Sequence, residues 1–273
     1  PRAAGRSADN SGAVRRGAIG YDRGMPATTQ RKSPAKAAAT PAPSKPAKRR
    51  TKRILLKLSG EALCAAGGFG IDGNELELIA AELRDAHREG CQLAVVVGGG
   101  NFIRGARLSK TLHINQATGD YMGMLATVIN GLALKEALVH AGVDSRVMTA
   151  IDVRAVAEPF IRGRALRHLE KGRVVILVAG TGNPFFTTDT CAALRATELE
   201  CDLLMKATKV DGVYTADPNK DPSAKRYDSL TFAQAISNNL QVMDTAALAL
   251  CRDNHIPLLV FDFKKTGNIR RAV

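Results

Sequence analysis

The chain has 273 residues, 45% of them hydrophobic, and its 39 Lys and Arg outweigh 26 Asp and Glu for a formal net charge of +13. That length and apolar content suffice for a sizeable core in one large domain or two small ones, which excludes a chain without a globular part. Fourteen of the basic residues fall in residues 1–53 beside only Asp9 and Asp22, leaving 25 basic and 24 acidic residues for the remainder, so the charge belongs to a tail and not to a cationic face of the folded part.

Residues 1–50 are Ala, Pro, Arg, Lys, Ser and Gly with almost no large apolar side chains. Such a segment cannot bury enough surface to offset its ordering entropy, and a disordered basic tail over residues 1–52 is expected ahead of a folded domain over 53–273. A solvated tail with weak, non-specific affinity for polyanions is the simplest account of it. An organellar transit peptide fits the acid-poor, Arg- and Ser-rich composition as well. A third account takes Met25 as the true start and the residues before it as an extension.

Arg53-Ile-Leu-Leu-Lys-Leu-Ser-Gly60 reads as a short strand that ends in Lys57, Ser59 and Gly60. A lysine beside a Ser-Gly turn at a strand's C-terminal end suits a polyphosphate, because open α/β sheets bind ligands at that edge; an edge strand with one solvated lysine is the plainer alternative. A Gly-rich loop from Cys64 to Asp72 precedes a helix expected over about Asn74–Glu89, stopped by Gly90. The strand Gln92–Val97 runs straight into Gly98-Gly-Gly-Asn-Phe-Ile-Arg104. Three glycines there let backbone approach a ligand closely, and Arg104 offers a bidentate clamp for a phosphate or else a surface charge. No Gly-x-x-x-x-Gly-Lys-Ser/Thr occurs, which excludes the P-loop class.

A long helix is expected from about Gly119 to Ala141, with Met122, Leu125, Ile129, Leu132 and Leu138 as its buried stripe and Asp120 in its first turn, a cap or an acceptor for a ribose hydroxyl. A strand near Arg146–Thr149 and a helix reaching Lys171 lead to Val174-Val-Ile-Leu-Val-Ala, a fully buried strand closed by Gly180. The loop after it, Thr181-Gly-Asn-Pro-Phe-Phe-Thr-Thr-Asp189, ends where Thr187 to Asp189 supply caps for a helix, so backbone N–H groups and the dipole favour an anion there. Next come a strand at Cys201–Lys206, an irregular exposed segment over 207–222 with Tyr214 and Asp217, a helix over about Met243–Asn254 begun by Asp244, and a strand at Pro257–Asp262. The βαβαβ rhythm predicts an α/β fold with a largely parallel sheet covered by helices on both faces.

The five cysteines show no Cys-x-x-Cys pair and the five histidines no metal-ligand spacing, so reduced core thiols and no metal site of protein side chains alone are expected. No apolar run is expected to reach membrane-spanning length, and residues 1–50 hold no apolar signal-peptide core. A cytoplasmic setting follows, with an organelle as the alternative if the tail is a transit peptide.

Lys57-Leu-Ser-Gly60, Gly98-Gly-Gly-Asn-x-x-Arg104, Thr118-Gly-Asp120, the Thr181–Asp189 run and Ala207-Thr-Lys-Val-Asp-Gly-Val-Tyr-x-x-Asp217, in this order and spacing, closely resemble bacterial-type uridylate (UMP) kinases of the amino-acid-kinase fold. The resemblance implies a three-layer αβα sandwich, a homohexamer, and Mg²⁺-dependent transfer of the ATP γ-phosphoryl group to UMP in pyrimidine nucleotide biosynthesis. It implies that Lys57, Leu58, Ser59, Gly60, Gly100 and Arg104 meet the ATP phosphates while Thr208, Tyr214 and Asp217 hold the nucleoside. UMP would lie among Gly99, Asp120, Thr181, Gly182, Asn183, Pro184, Phe185, Phe186, Thr187 and Thr188. Lys57, Arg104, Asp189 and Asp244 would carry catalysis, Mg²⁺ entering with ATP. Ala65, Ala66, Gly67, Gly68, Phe69 and Gly70 align with a segment that responds to GTP as activator, UTP being the expected inhibitor. The family's chain continues past Arg270-Arg271 into a further short strand, so a truncated C-terminus is expected here. An acetylglutamate-type kinase of the same fold, a nucleotide sensor without turnover, and nucleic-acid binding by the tail are the alternatives.

Overall fold

The computed structural model describes residues 51–103, 113–218, 220–240 and 242–273. The tail expected over 1–52 lies almost entirely outside these residues, and so does Arg104. Seven strands form one sheet in the order β4-β3-β5-β2-β1-β6-β9, every neighbouring pair parallel: β1 Arg53–Leu58, β2 Gln92–Val97, β3 Ser145–Thr149, β4 Glu158–Pro159, β5 Val174–Val178, β6 Leu203–Thr208 and β9 Leu258–Asp262. A separate antiparallel pair joins β7 Val213–Tyr214 to β8 Arg226–Tyr227.

Alternation along the central strands sends side chains to two cores. Ile54, Leu56 and Leu58 of β1 join Val95 and Val97 of β2 and Ile176 of β5 beneath helices α1 (Gly73–Arg88) and α2 (Gln116–His140). Leu55, Val96 and Leu177 face the other way, toward α3 (Arg162–Glu170), α4 (Thr188–Glu198), α5 (Phe232–Ser237) and α6 (Thr245–Asp253). A short α7 (Asn268–Ala272) closes the first face through Ile269. The result is the three-layer αβα sandwich. Lys57, one residue from Leu58, points to the α4 side.

Three expectations that concern α2 need correction. Its buried residues include Met124, Val128, Leu134 and Leu138, whereas Leu125 and Ile129 of the expected stripe are about half exposed. The helix is apolar on nearly every face, so periodicity could not fix its phase. For the same reason it is, contrary to expectation, long and apolar enough to cross a membrane. It instead packs on the sheet, with Thr127 and Asn130 buried against polar partners. Asp120 is also not in the first turn: the helix begins at Gln116, and the side chain of Asn115 accepts from Ala117 N–H as its cap. All five cysteines are buried and none forms a disulfide; burial pushes the thiol of Cys191 up to about 12 and that of Cys251 up to about 11.

Candidate active site

In a parallel sheet every strand ends at the same edge, and loops there frame the ligand crevice. Beyond β1, Ser59 caps a 3₁₀ turn, Gly60–Leu63, through its hydroxyl. Beyond β2 lie Gly98–Gly100, and space is tight: a Cβ on Gly60 would fall 2.5 Å from Asn101 Oδ1, and one on Gly99 would fall 2.6 Å from the Gly123 carbonyl. Beyond β5 the backbone takes left-handed conformations at Ala179, Gly180, Gly182 and Phe185, two of them non-glycine residues. That loop is pinned. Asp120 Oδ2 accepts from Phe185 N–H at 2.8 Å, and the Thr187 hydroxyl accepts from Asp189 and Thr190 N–H as the cap of α4.

The charged centre is a three-member chain. Lys57 Nζ lies 2.8 Å from Asp189 Oδ1, and Lys206 Nζ donates to Asp189 Oδ2 at 2.8 Å and to the Val242 carbonyl. The two lysines are register partners across the parallel β1–β6 ladder, so both side chains rise on one face of the sheet, opposite the N-terminus of α4. Burial pushes the Asp189 carboxyl up, but the two ammonium groups outweigh it and hold the group below its ordinary range. Burial lowers Lys206, and Asp189 only partly restores it. Asp244 bonds neither lysine, though its charge acts on Lys206: its Oδ1 caps α6 by accepting from Ala247 N–H, and its Oδ2 accepts from the hydroxyls of Thr187 and, at 2.8 Å, Thr190. It orders the loop, and Asp189 orders the lysines.

Two cavities lie beside this centre, one walled in part by Lys206 and one by Thr187 and Thr188, the residues before Asp189. One of about 400 Å³ is lined by Gly99, Gly100, Asp120, Thr181, Phe186, Thr187 and Thr188. The other, about 470 Å³, is lined by Lys206, Thr208, Tyr214, Asp217, Asn239 and Val242. Of the residues expected around UMP, Gly99, Asp120, Thr181 and Phe186 to Thr188 line the first, while Gly182 to Phe185 do not; of those expected around ATP, Thr208, Tyr214 and Asp217 line the second beside Lys206, Gly100 lines the first, and Lys57, Ser59 and Gly60 line neither. Phe185 and Asn183 point outward from the first and are exposed. The Leu58 side chain is wholly buried and its carbonyl accepts from Gly98 N–H at 2.9 Å, so its side chain takes no part in either chamber. Tyr214 donates its hydroxyl to Asp211 at 2.6 Å. A third and larger cavity, about 680 Å³, is lined by Ala65 to Phe69 with Gly100, Phe102, Lys209 and Lys264; Phe69 meets Phe102 edge to face at 5.6 Å. Gly70, grouped with that segment from sequence, is not in the wall but bonds Asn101.

Sequence reading missed Lys206, Thr190, Thr127 and Asn130. Lys206 carried a signal, since it ends an apolar strand as Lys57 does; the others look like ordinary helix residues until the sheet brings partners to them. Among the described residues no group of three His, Cys, Asp or Glu is placed to hold a metal ion. Near the cavities Asp189 is committed to lysines, Asp244 to hydroxyls and the cap of α6, and Asp120 to the Phe185 N–H, a donor set that fits a cation brought in on a substrate's phosphates.

The profile of the amino acid kinase family matches residues 52–262. Among solved structures, the chain is similar to the UMP kinase from Bacillus anthracis with a TM-score of 0.79 and 42% identity, covering 82% of this chain and 92% of that one. It is similar to the UMP kinase from Ureaplasma parvum at 0.75 and 40%, covering 80% and 92%, and to the uridylate kinase from Archaeoglobus fulgidus at 0.63 and 29%, covering 80% and 94%.

Proposed function

The chain belongs to the amino acid kinase family, and from that premise we propose that it transfers the γ-phosphoryl group of ATP to UMP, giving ADP and UDP for pyrimidine nucleotide biosynthesis. The observation that carries this reading is the Lys57–Asp189–Lys206 chain at the sheet edge, with Lys206 in the wall of one chamber and Thr187 and Thr188, the residues before Asp189, in the wall of the other. UMP takes the chamber of Gly99, Asp120 and the Thr181–Thr188 loop; ATP takes that of Thr208, Tyr214 and Asp217, its phosphates reaching toward Ser59, Gly60 and Gly100.

The chemistry follows from charge. An oxygen of the UMP phosphate, already anionic at neutral pH, attacks the γ-phosphorus in line; the new P–O bond forms as the bond to the β-phosphate oxygen breaks, and ADP leaves with that electron pair. No general base is needed. What must be supplied is relief of repulsion between two polyanions. Lys57 and Lys206, held by Asp189, and glycine N–H groups aimed into the crevice supply it in a water-poor setting. Arg104 adds a bidentate clamp, and Mg²⁺ arrives as part of the ATP substrate. Asp244 keeps Thr187 in place.

The same reading extends to a homohexamer, for which half-exposed Tyr121, Leu125 and Ile129 on α2 offer an apolar subunit contact. It extends to activation by GTP through the Ala65–Gly70 segment, to inhibition by UTP and to a cytoplasmic setting. A coupled assay of ADP release with UMP, CMP, dUMP and acetylglutamate as acceptors tests the central claim. UMP-dependent release that needs Mg²⁺ is expected; release only with acetylglutamate, or none with UMP, overturns it. A flat response to GTP at subsaturating ATP removes the effector claim.

A further inference from the structure

Helix α2 carries polar side chains into the core directly beneath the phosphate loops. Asn130 is fully buried and Asn101 is 3% exposed. Their carboxamides form a reciprocal pair, with Asn101 Nδ2 donating to Asn130 Oδ1 at 3.0 Å and Asn130 Nδ2 to Asn101 Oδ1 at 2.7 Å. Each nitrogen also donates outward, Asn130 to the Gly98 carbonyl at 2.8 Å and Asn101 to the Gly70 carbonyl at 2.7 Å. A carbonyl can only accept, so these two contacts fix which end of each amide is nitrogen, and all four N–H groups of the pair are used. Three residues back on the same helix face, the Thr127 hydroxyl accepts from Ala179 N–H at 2.6 Å. One face of α2 thus grips the loop after β2 and the loop after β5 together.

A planar trans peptide sends its C=O and the following N–H in opposite directions, and the described residues contain no cis bond. Drawing the Gly98 carbonyl inward onto Asn130 therefore turns the Gly99 N–H outward, on the side of the cavity that Gly99 lines. Among the described residues neither Gly99 nor Gly100 N–H meets a protein acceptor. We propose that Asn130 is a positioning residue for phosphoryl transfer: acting through Gly98 and Asn101, it aims the Gly99 amide at the phosphate that reacts, without touching substrate. The fit around it is close, since a Cβ on Gly60 would strike Asn101 Oδ1 and one on Gly98 would fall 2.9 Å from Gly60 N. The β1 turn, the glycine loop and the amide pair are interlocked, and a shift in one is felt in the others.

This role rests on the kinase reading, and the test separates the two. UMP-dependent ADP release is measured on the full chain, on Asn130→Ala, and on Leu134→Ala, a fully buried residue of the same helix that serves as a purely structural control. For Asn130→Ala, kcat of the folded protein is expected to fall about 10²-fold with KM for UMP and ATP changed less than about threefold, because misplacement near 1 Å costs that much in rate. Leu134→Ala is expected to lower thermal stability comparably while kcat stays within about twofold. A silent wild-type chain overturns the kinase reading and this role with it. An active wild type beside an Asn130→Ala protein of undiminished kcat overturns the role alone. Should Asn130→Ala not fold, Asn101→Ala removes one arm of the pair and is read the same way: about a tenfold loss of kcat is expected, and an unchanged kcat overturns the proposal.

Discussion

The loop after β5 and the loop after β6 reach the same edge of the sheet, yet they are held differently. The first is tied from behind: Ala179 N–H to Thr127, Phe185 N–H to Asp120, and Thr187 to Asp244, with two non-glycine residues kept in left-handed conformations by those contacts. The second leads into a hairpin of two two-residue strands, steadied by Tyr214 and Arg226 on Asp211 at 2.6 and 3.3 Å. Exposed ion pairs of that kind contribute about 0–1 kcal/mol. On the function proposed above, the acceptor meets a surface built in advance, and the donor one that its own binding must help to settle. Discrimination belongs to the first, and tolerance of change to the second.

The largest effects are expected at the charged centre between the two loops. Lys57→Ala and Asp189→Asn should each lower kcat by at least about 10²-fold in the ADP-release assay, the scale of losing one preorganised electrostatic contact. Asp189→Asn should also cost about 3 kcal/mol in denaturant unfolding, because it leaves two buried ammonium groups without their counter-charge. A variant of either kind with near-normal kcat would remove the centre from the reaction.

Gly99→Ala comes next. Its Cβ would press on the Gly123 carbonyl of α2, which cannot step aside as a side chain would. About a tenfold fall in kcat/KM for UMP is expected with KM for ATP little changed; equal loss for both nucleotides would erase the distinction between the sides.

The pH response sharpens it further. A lysine whose folded pKa lies below its unfolded 10.5 costs stability at neutral pH, and that cost fades as pH rises from the lowered value toward 10.5. Transfer needs the charge, so kcat should decline on the alkaline side before an ordinary lysine would titrate, and Lys206→Arg, which stays charged, should move that limb upward. Asp189 acts at the other end: its depressed pKa gives stability that is present above 3.8 and lost as pH falls through the folded value. An alkaline limb that is the same in wild type and Lys206→Arg would assign it elsewhere.

The smallest effects belong to the donor side and the tail. Tyr214→Phe should raise KM for ATP no more than about threefold, losing one exposed hydroxyl contact of about 1 kcal/mol or less. Removal of residues 1–50 should change kcat by less than about twofold while weakening salt-sensitive retention on nucleic acid.

Much of this was legible in the sequence because it is local. Val174–Val178 and Gln92–Val97 announce themselves as buried strands, and glycines or a Thr cap follow them directly. What was not legible depends on distance along the chain. Lys206 gains meaning only beside Lys57, and Asn130 only under Gly98. The buried face of α2 escaped because an evenly apolar helix has no phase to read, and β4, β8 and α5 are too short for periodicity to show.

The position of β1 bears on how the chain comes to be folded at all. It is the first strand among the described residues and lies in the interior of the sheet, its second neighbour β6 arriving only with residues 203–208; Arg53 N–H bonds Asp202 across 149 residues. At about 5–20 residues per second, a ribosome needs about 7–30 seconds to cover that distance, and parallel pairings of such separation are slow to close. Through that interval Ile54-Leu-Leu56 has an open flank. A nascent chain of this design is exposed to sticking and to chaperone capture from its first strand onward, and catalysis waits for the same closure, because only β6 brings Lys206 to Asp189.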